Sequence, residues 1–245
     1  MTAAAKGVAG PARTPRALWL DVARGWAIIA MVVYHFAFDL TLFGHVDWPV
    51  ASHPLWRGFA AAIASTFLFL TGVSLVYAHG TGMRWRPFWR RFAVIALAAA
   101  AVSVATYFAM PSPIYFGILH AIAAFSVLAL AFLFAPVALT LVAAGAVLIL
   151  PFVYRDPLFD APVFYPVGLA PIPPLTFDYE PIFPWFAATL LGVASARVLG
   201  RSSMPAEAVP PWLGASAWLG RHSLAIYLIH QPVLFAVLLG INAAR

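Results

Sequence analysis

The sequence contains no cysteine, which excludes disulfides, thiolate metal sites and cysteine nucleophiles. Charge is scarce as well. Charged residues make up 9% of the chain, against roughly 25% in a typical soluble domain. Hydrophobic residues take their place at 64%, where about 45–50% is usual. A chain this apolar cannot cover a water-facing surface, so its solvent must largely be lipid. That excludes a soluble globular enzyme, a disordered tail and a secreted disulfide scaffold. The formal charge of +6 invites a nucleic-acid reading, but most of the few charges fall in loops, where membrane topology explains them better. No nucleic-acid partner is expected.

What is present is a series of long apolar runs. A helix needs about 20 residues to cross roughly 30 Å of hydrocarbon. Seven runs approach that length, at 17–42, 57–78, 91–109, 114–134, 137–153, 182–200 and 222–240. Pro136 divides the fourth from the fifth. The expected fold is all-α, a polytopic transmembrane bundle of about seven spans. It would form one domain over residues 17–240, between tails at 1–16 and 241–245. The first tail carries Lys6, Arg13 and Arg16, and the run after it is too long for the apolar region of a cleavable signal.

The positive-inside rule sets the orientation. With a cytoplasmic N-terminus, Lys6, Arg13, Arg16, Arg24, Arg84, Arg86, Arg90, Arg91, Arg197, Arg201 and Arg221 lie on the inner side. Only Arg57, Arg155 and Arg245 then lie outside, where the C-terminus also emerges. Two outer segments are long enough to carry function. Residues 43–56 hold His45, Asp47 and His53; residues 152–181, rich in proline and aromatics, hold Asp178, Tyr179 and Glu180. The plainer reading of both is a stiff lid over the helix ends.

The first span is the most informative, because it contains Asp21, Arg24, His35 and Asp39. Ionisable groups in a membrane helix cost at least ~2.5–3.5 kcal/mol each near the bilayer centre, so they are seldom idle. At about 100° per residue all four fall on one arc of roughly 60°, spread over about 27 Å of helix. That arc has to face protein or a watery cavity. A purely structural seam, with Asp21 paired to Arg24, is the competing account.

These residues also carry a resemblance. The stretch LDVARGWAIIAMVVYHF, with ten residues between Arg24 and His35, resembles the R-x10-H signature of membrane-bound acyltransferases. The later blocks FDLTLFGHVDWP, ASTFLFLTGVSL, FGILHAIA, FDYEPIFPWF and LGRHSLAIYLIHQPV are similar to the bacterial family related to heparan-α-glucosaminide N-acetyltransferase, from Leu20 to Val233. The resemblance implies acetyl transfer from cytoplasmic acetyl-CoA to a sugar across the membrane. It also implies a catalytic histidine in the outer loop after the first helix, where His53 in HPLWRG and His45 both stand. The related acyltransferases have about ten or eleven spans, more than the seven found here.

Acyl transfer to an amine or hydroxyl needs a base, and histidine, with a pKa of about 6.5, suits it. His35 and His120 reach similar depths from the outer face on oppositely directed helices, and Asp39 is one turn from His35. His120 is equally readable as a buried histidine bonded to a neighbouring helix. A metal held by these groups and His45 is a weaker alternative, and no metal is expected. In the last span Ser223, Tyr227, His230 and Gln231 share a face, ahead of Pro232. That face would either line the route of the pantetheine arm, through Tyr227 and His230, or bond helices together. Arg24, Arg84, Arg90 and Arg221 are the candidates for the CoA phosphates, although topology alone also explains the arginine cluster. Gly72 and Ser74 read as close-packing residues.

The resulting expectation is an acetyl-CoA-dependent acyltransferase of a bacterial inner membrane. His35 would serve as general base or transient acetyl carrier, with Asp39, His53 and His120 as further catalytic candidates. His45, Asp47, Asp178, Tyr179 and Glu180 would meet an extracytoplasmic glycan or amino sugar. The lipid bilayer is the surrounding partner, and a homodimer is admissible. A proton-coupled transporter or flippase, or a non-catalytic member of the same fold, is the rival, although the two related halves common in transporters are not visible.

Overall fold

The structure, a computed structural model, describes residues 18–200 and 211–244. The first tail with Lys6, Arg13 and Arg16, and also Arg201 and Arg245, lie outside the described residues. All seven apolar runs form helices: α1 Leu18–Leu42, α2 Pro54–His79, α3 Trp85–Ala109, α4 Ile118–Leu128, α5 Val137–Val153 and α6 Ile182–Leu199, with the last run inside a later helix. That later helix, α8, spans Ser223–Ala243, and a short unexpected helix, α7, precedes it at Pro211–Arg221. Among the described residues there is no strand, only an isolated bridge between Phe116 and Tyr179.

Five of these helices (α1, α2, α3, α6 and α8) are long and apolar enough to cross a membrane. Two expected spans are shorter. α4 continues only as a 3₁₀ turn to Phe132, and α5 has 17 residues. Pro136, which has no amide hydrogen to donate, stands at the N-cap of α5 and separates the two. α4 starts at Ile118 rather than near 114, because the residues before it are held extended against residues 176–180. α3 starts six residues before its apolar run, so Arg86, Arg90 and Arg91 belong to its first turns and not to a loop. Hydropathy marks where lipid ends, whereas the hydrogen-bond ladder of a helix runs on beyond it.

Contacts fix the helix directions. Tyr34 of α1 meets Trp56 and Phe59 of α2, whereas Arg24 meets Ser74, so α1 and α2 are antiparallel. Ile28 packs near Ile226, His35 on His230 and Phe43 on Phe235, so α1 and α8 are parallel. α2 and α6 are parallel too, through Thr189 on the Leu68 carbonyl and Tyr77 on that of Gly200. One end of the bundle therefore gathers Arg24, Arg84, Arg86, Arg90, Arg91, Arg197 and Arg221, leaving Arg57 and Arg155 of the described arginines at the other.

The core lies between α2, α4 and α6 around Leu68, Phe125, Leu190 and Val193, all at 0% exposure. Helices cannot be driven together by hydrophobicity where the solvent is itself apolar, so they rely on close backbone contact. Gly72 of α2 faces the Thr189 carbonyl and Gly192 of α6 faces that of Phe69, each closer than any β-carbon allows. Gly220 and Gly25 do the same where α7 crosses the first turns of α1.

Replacing Gly192 by leucine should push α2 and α6 apart, at a cost of at least ~1–3 kcal/mol, and lower the thermal midpoint by roughly 3–10 °C. Gly240→Ala, with open space at its position, should leave the midpoint within about a degree. Equal behaviour of the two variants in a thermal melt would contradict this account of the packing.

Candidate active site

The charged face of α1 is turned inward along its length. Arg24 bonds Asp21 at 3.0 Å and Ser74 of α2 through its other terminal nitrogen. Asp21 is 2% exposed. Further along, the His35 ring meets that of His230 on α8 edge to face, with centroids 4.8 Å apart. Asp39 is wholly buried and accepts from Gln231 Nε2 with both carboxylate oxygens, at 2.8 and 3.0 Å. Asp39 therefore aligns Gln231, and its two oxygens bond that amide although His35 stands one turn away. The imidazole instead turns back one helical turn, its Nδ1 lying 2.9 Å from the Met31 carbonyl.

That backbone contact defines the chemistry of the ring. A carbonyl oxygen can only accept, so Nδ1 carries the proton and Nε2 keeps its lone pair. The same reasoning applies to His230, whose Nδ1 lies 2.7 Å from the Tyr227 carbonyl. Its Nε2 is buried and has no partner within the protein. Two basic nitrogens thus stand together where α1 meets α8. His120 differs. Ser103 on α3 donates to the Ile114 carbonyl at 2.6 Å, so at 3.2 Å it accepts from His120 Nε2. His120 is the interhelical histidine of the plainer reading.

The segment between α5 and α6 enters the site through its last residues. Thr176 donates to the Pro113 carbonyl at 3.0 Å, and the Glu180 amide to that of Phe116 at 3.0 Å. This pairing lays Asp178 over the start of α4, where its Oδ2 accepts from the Ile118 amide at 3.0 Å. The partial positive charge of a helix N-terminus favours a carboxylate there, and Gly117 has no β-carbon to block its approach. The same oxygen accepts from the Tyr227 hydroxyl at 3.1 Å. Tyr227 and Asp178, read from sequence as belonging to donor and acceptor sites respectively, are direct partners. The Asp178 charge also acts on both His35 and His120.

Beside it, burial and the facing Asp178 carboxylate hold the Glu180 carboxyl well above the usual carboxylate range. Burial likewise pushes the Tyr179 phenol up to about 12, and its hydroxyl donates to the Tyr165 carbonyl at 2.7 Å.

Residues 43–56 stay apart from this cluster. His53 is exposed and caps α2, its Nδ1 accepting from the Leu55 amide at 3.2 Å. Asp47 is exposed, while His45 is half-buried with an unpartnered Nε2. Among the described residues, no hydrogen bond or ring contact joins these three to His35, His230 or Asp178. Arg84, Arg90 and Arg221 are exposed at the arginine-rich end. There a cleft between α2, α3 and α4 is lined by Thr71, His79, Phe88, Arg91 and Ser126. His79 was not singled out in the sequence, where a histidine closing a helix carries no signal beyond topology.

Glu180 supplies a pH test. Below about 4.5 a glutamate is protonated both folded and unfolded. As pH rises the unfolded chain ionises first, so stability falls through the interval up to the folded value. Glu180→Gln removes that slope and should raise the thermal midpoint by a few degrees at pH 7, with no gain at pH 4. An equal gain at both pH values would contradict the raised carboxyl.

Residues 16–232 match the protein family described as heparan-alpha-glucosaminide N-acetyltransferase, catalytic. No curated protein and no solved structure matches the chain. The matched span takes in every group of the α1–α8 cluster, from Arg24 to Gln231, together with Asp178 and Glu180. The chain, an integral membrane protein of acetyltransferase type, belongs to the heparan-alpha-glucosaminide N-acetyltransferase catalytic family.

Proposed function

We propose that the protein moves an acetyl group from cytoplasmic acetyl-CoA to an amino group or hydroxyl of a sugar on the far side of a bacterial inner membrane. The observation that carries this reading is the free Nε2 of His35, packed against His230 and within the field of Asp178.

In the reaction, His35 Nε2 takes the acceptor's proton as its nitrogen or oxygen attacks the thioester carbonyl. The carbon–sulfur bond breaks, and the CoA thiolate leaves and recovers the proton from the imidazolium. Asp178 stabilises that cation through space, while Tyr227 and the Ile118 amide hold the carboxylate in place. Glu180, kept protonated beside it, adds no second negative charge to the site.

The donor enters from the arginine-rich end. Arg24 and Arg91 lie close enough to repel one another, an arrangement that an anionic ligand relieves. Arg84, Arg90 and Arg221 add positive charge around the mouth, where guanidinium groups suit the CoA phosphates. The acceptor approaches from the other end, past Tyr179, His45 and Asp47. His53, committed to capping α2, is a weaker candidate for the base than His35.

The test uses inverted membrane vesicles containing the protein, with acetyl-labelled CoA outside and glucosamine inside. Labelled N-acetylglucosamine should accumulate in the lumen, and His35→Ala should lower its yield by about a hundredfold or more. A transporter would leave the label on CoA. Turnover unchanged by His35→Ala would move the base to His45 or His53.

A further inference from the structure

Gln231 has a role that acetyl transfer by itself does not assign. Its side-chain amide has two unlike ends, and the carboxylate of Asp39, which only accepts, takes the NH₂ end with both oxygens. The carbonyl end, Oε1, is thereby turned away from Asp39. It is buried and has no donor within the protein. On the preceding residue, His230 Nε2 is in the same condition, its other nitrogen holding the ring's proton and donating it in a hydrogen bond to the Tyr227 carbonyl. Adjacent residues of α8 therefore carry two buried acceptors without donors, one of them on the ring that meets His35. Leaving a buried acceptor unsatisfied costs about 1–3 kcal/mol, so the arrangement calls for a ligand rich in N–H or O–H donors.

We infer that Gln231, aligned by Asp39, is the residue that positions the acceptor's nucleophile and favours an amine over a hydroxyl. The inference rests on the acetyltransferase reading. A primary amine has two hydrogens. One bonds Gln231 Oε1 and remains on nitrogen in the product amide, and the other goes to an imidazole as the new carbon–nitrogen bond forms and the carbon–sulfur bond breaks. A hydroxyl has a single hydrogen, and the base takes it. Gln231 Oε1 then has no donor, a loss equivalent to roughly 5–150-fold in rate. Asp39 acts one step back: without a fixed carboxylate the amide can turn over and present NH₂ to the amine, where it has nothing to accept its hydrogen.

The experiment compares the full-length chain with Gln231→Met, close in shape and lacking the acceptor, and with Gln231→Glu. Acetyl transfer to glucosamine and equilibrium binding of radiolabelled glucosamine are both measured in reconstituted membranes. Gln231→Met should lower kcat/KM for glucosamine by about 5–150-fold and weaken glucosamine binding, with KM for acetyl-CoA unchanged. Gln231→Glu, protonated against Asp39, keeps a carbonyl acceptor and should recover part of the loss. Unchanged kcat/KM for glucosamine in Gln231→Met overturns the inference, as does an equal rise in KM for both substrates, which marks a structural role. If the wild-type chain binds glucosamine and Gln231→Met does not, but no acetyl moves, the subsite stands and the acetyltransferase reading falls. If the wild-type chain transfers acetyl to hydroxyl sugars as readily as to glucosamine, the amine preference falls alone.

Discussion

A carboxylate inside hydrocarbon must find a donor, and this constraint organises the bundle. Asp39 finds Gln231, 192 residues away, and the contact ties the first helix to the last. Two hydrogen bonds from one amide satisfy both carboxylate oxygens, leaving no room for lipid or a competing partner on that face. Because the bond joins parallel helices at one level, it brings the His35 and His230 rings together as well. Near the opposite end of α1, Asp21 is satisfied by Arg24, which in turn reaches Ser74. The helix is held by polar contacts at both ends, and its middle is free to pack through Ile28 and Met31. A buried hydrogen bond to a charged group is worth about 1.5–3 kcal/mol, more than most apolar contacts between helices in lipid provide.

The second organising element is a loop that behaves as part of the site. Residues 176–180 are too polar and proline-bounded to form a helix, so they pair extended with the approach to α4. In doing so they carry Asp178 to a helix N-terminus, where its charge is favourable before any substrate arrives. Tyr227 from α8 closes on the same oxygen. The helix that carries His230 and the loop that carries the acid thus lock one another. Glu180 shows the limit of the arrangement, since desolvation and the facing Asp178 carboxylate both disfavour its charged form.

Local periodicity made the helices and the inward seam readable from sequence. Apolar runs of fixed length and a 100° step need no knowledge of neighbours, which is why Asp21, Arg24, His35 and Asp39 could be placed on one face. Gly72, read as a packing residue, does face a backbone carbonyl. What could not be read was pairing. Nothing near Asp39 indicates that its partner is Gln231 rather than the histidine one turn away, because the Met31 carbonyl competes for that ring. Tyr227 and Asp178 were assigned to different ligands because they are separated by 49 residues and a whole span. α7 escaped notice because its 11 residues, with Arg221 in the last turn, lack the apolar length that marks a span. His53, prominent by resemblance, turns out to cap a helix, a role for which serine, threonine, asparagine and aspartate are the usual signals.

The two ends of the bundle differ in chemistry. The arginine-rich end is electropositive, whereas the other end presents carboxyls, a phenol and imidazole. Between them glycines bring α2 against α6 and α7 against α1 backbone to backbone. Where α1 meets α8, the two imidazoles are fixed in one tautomer. The tautomer is therefore the central feature of the chemistry. Both rings donate a hydrogen bond from Nδ1–H to a backbone carbonyl of the helix that carries them, so the basic nitrogen is presented by helix geometry itself and needs no movement to become available.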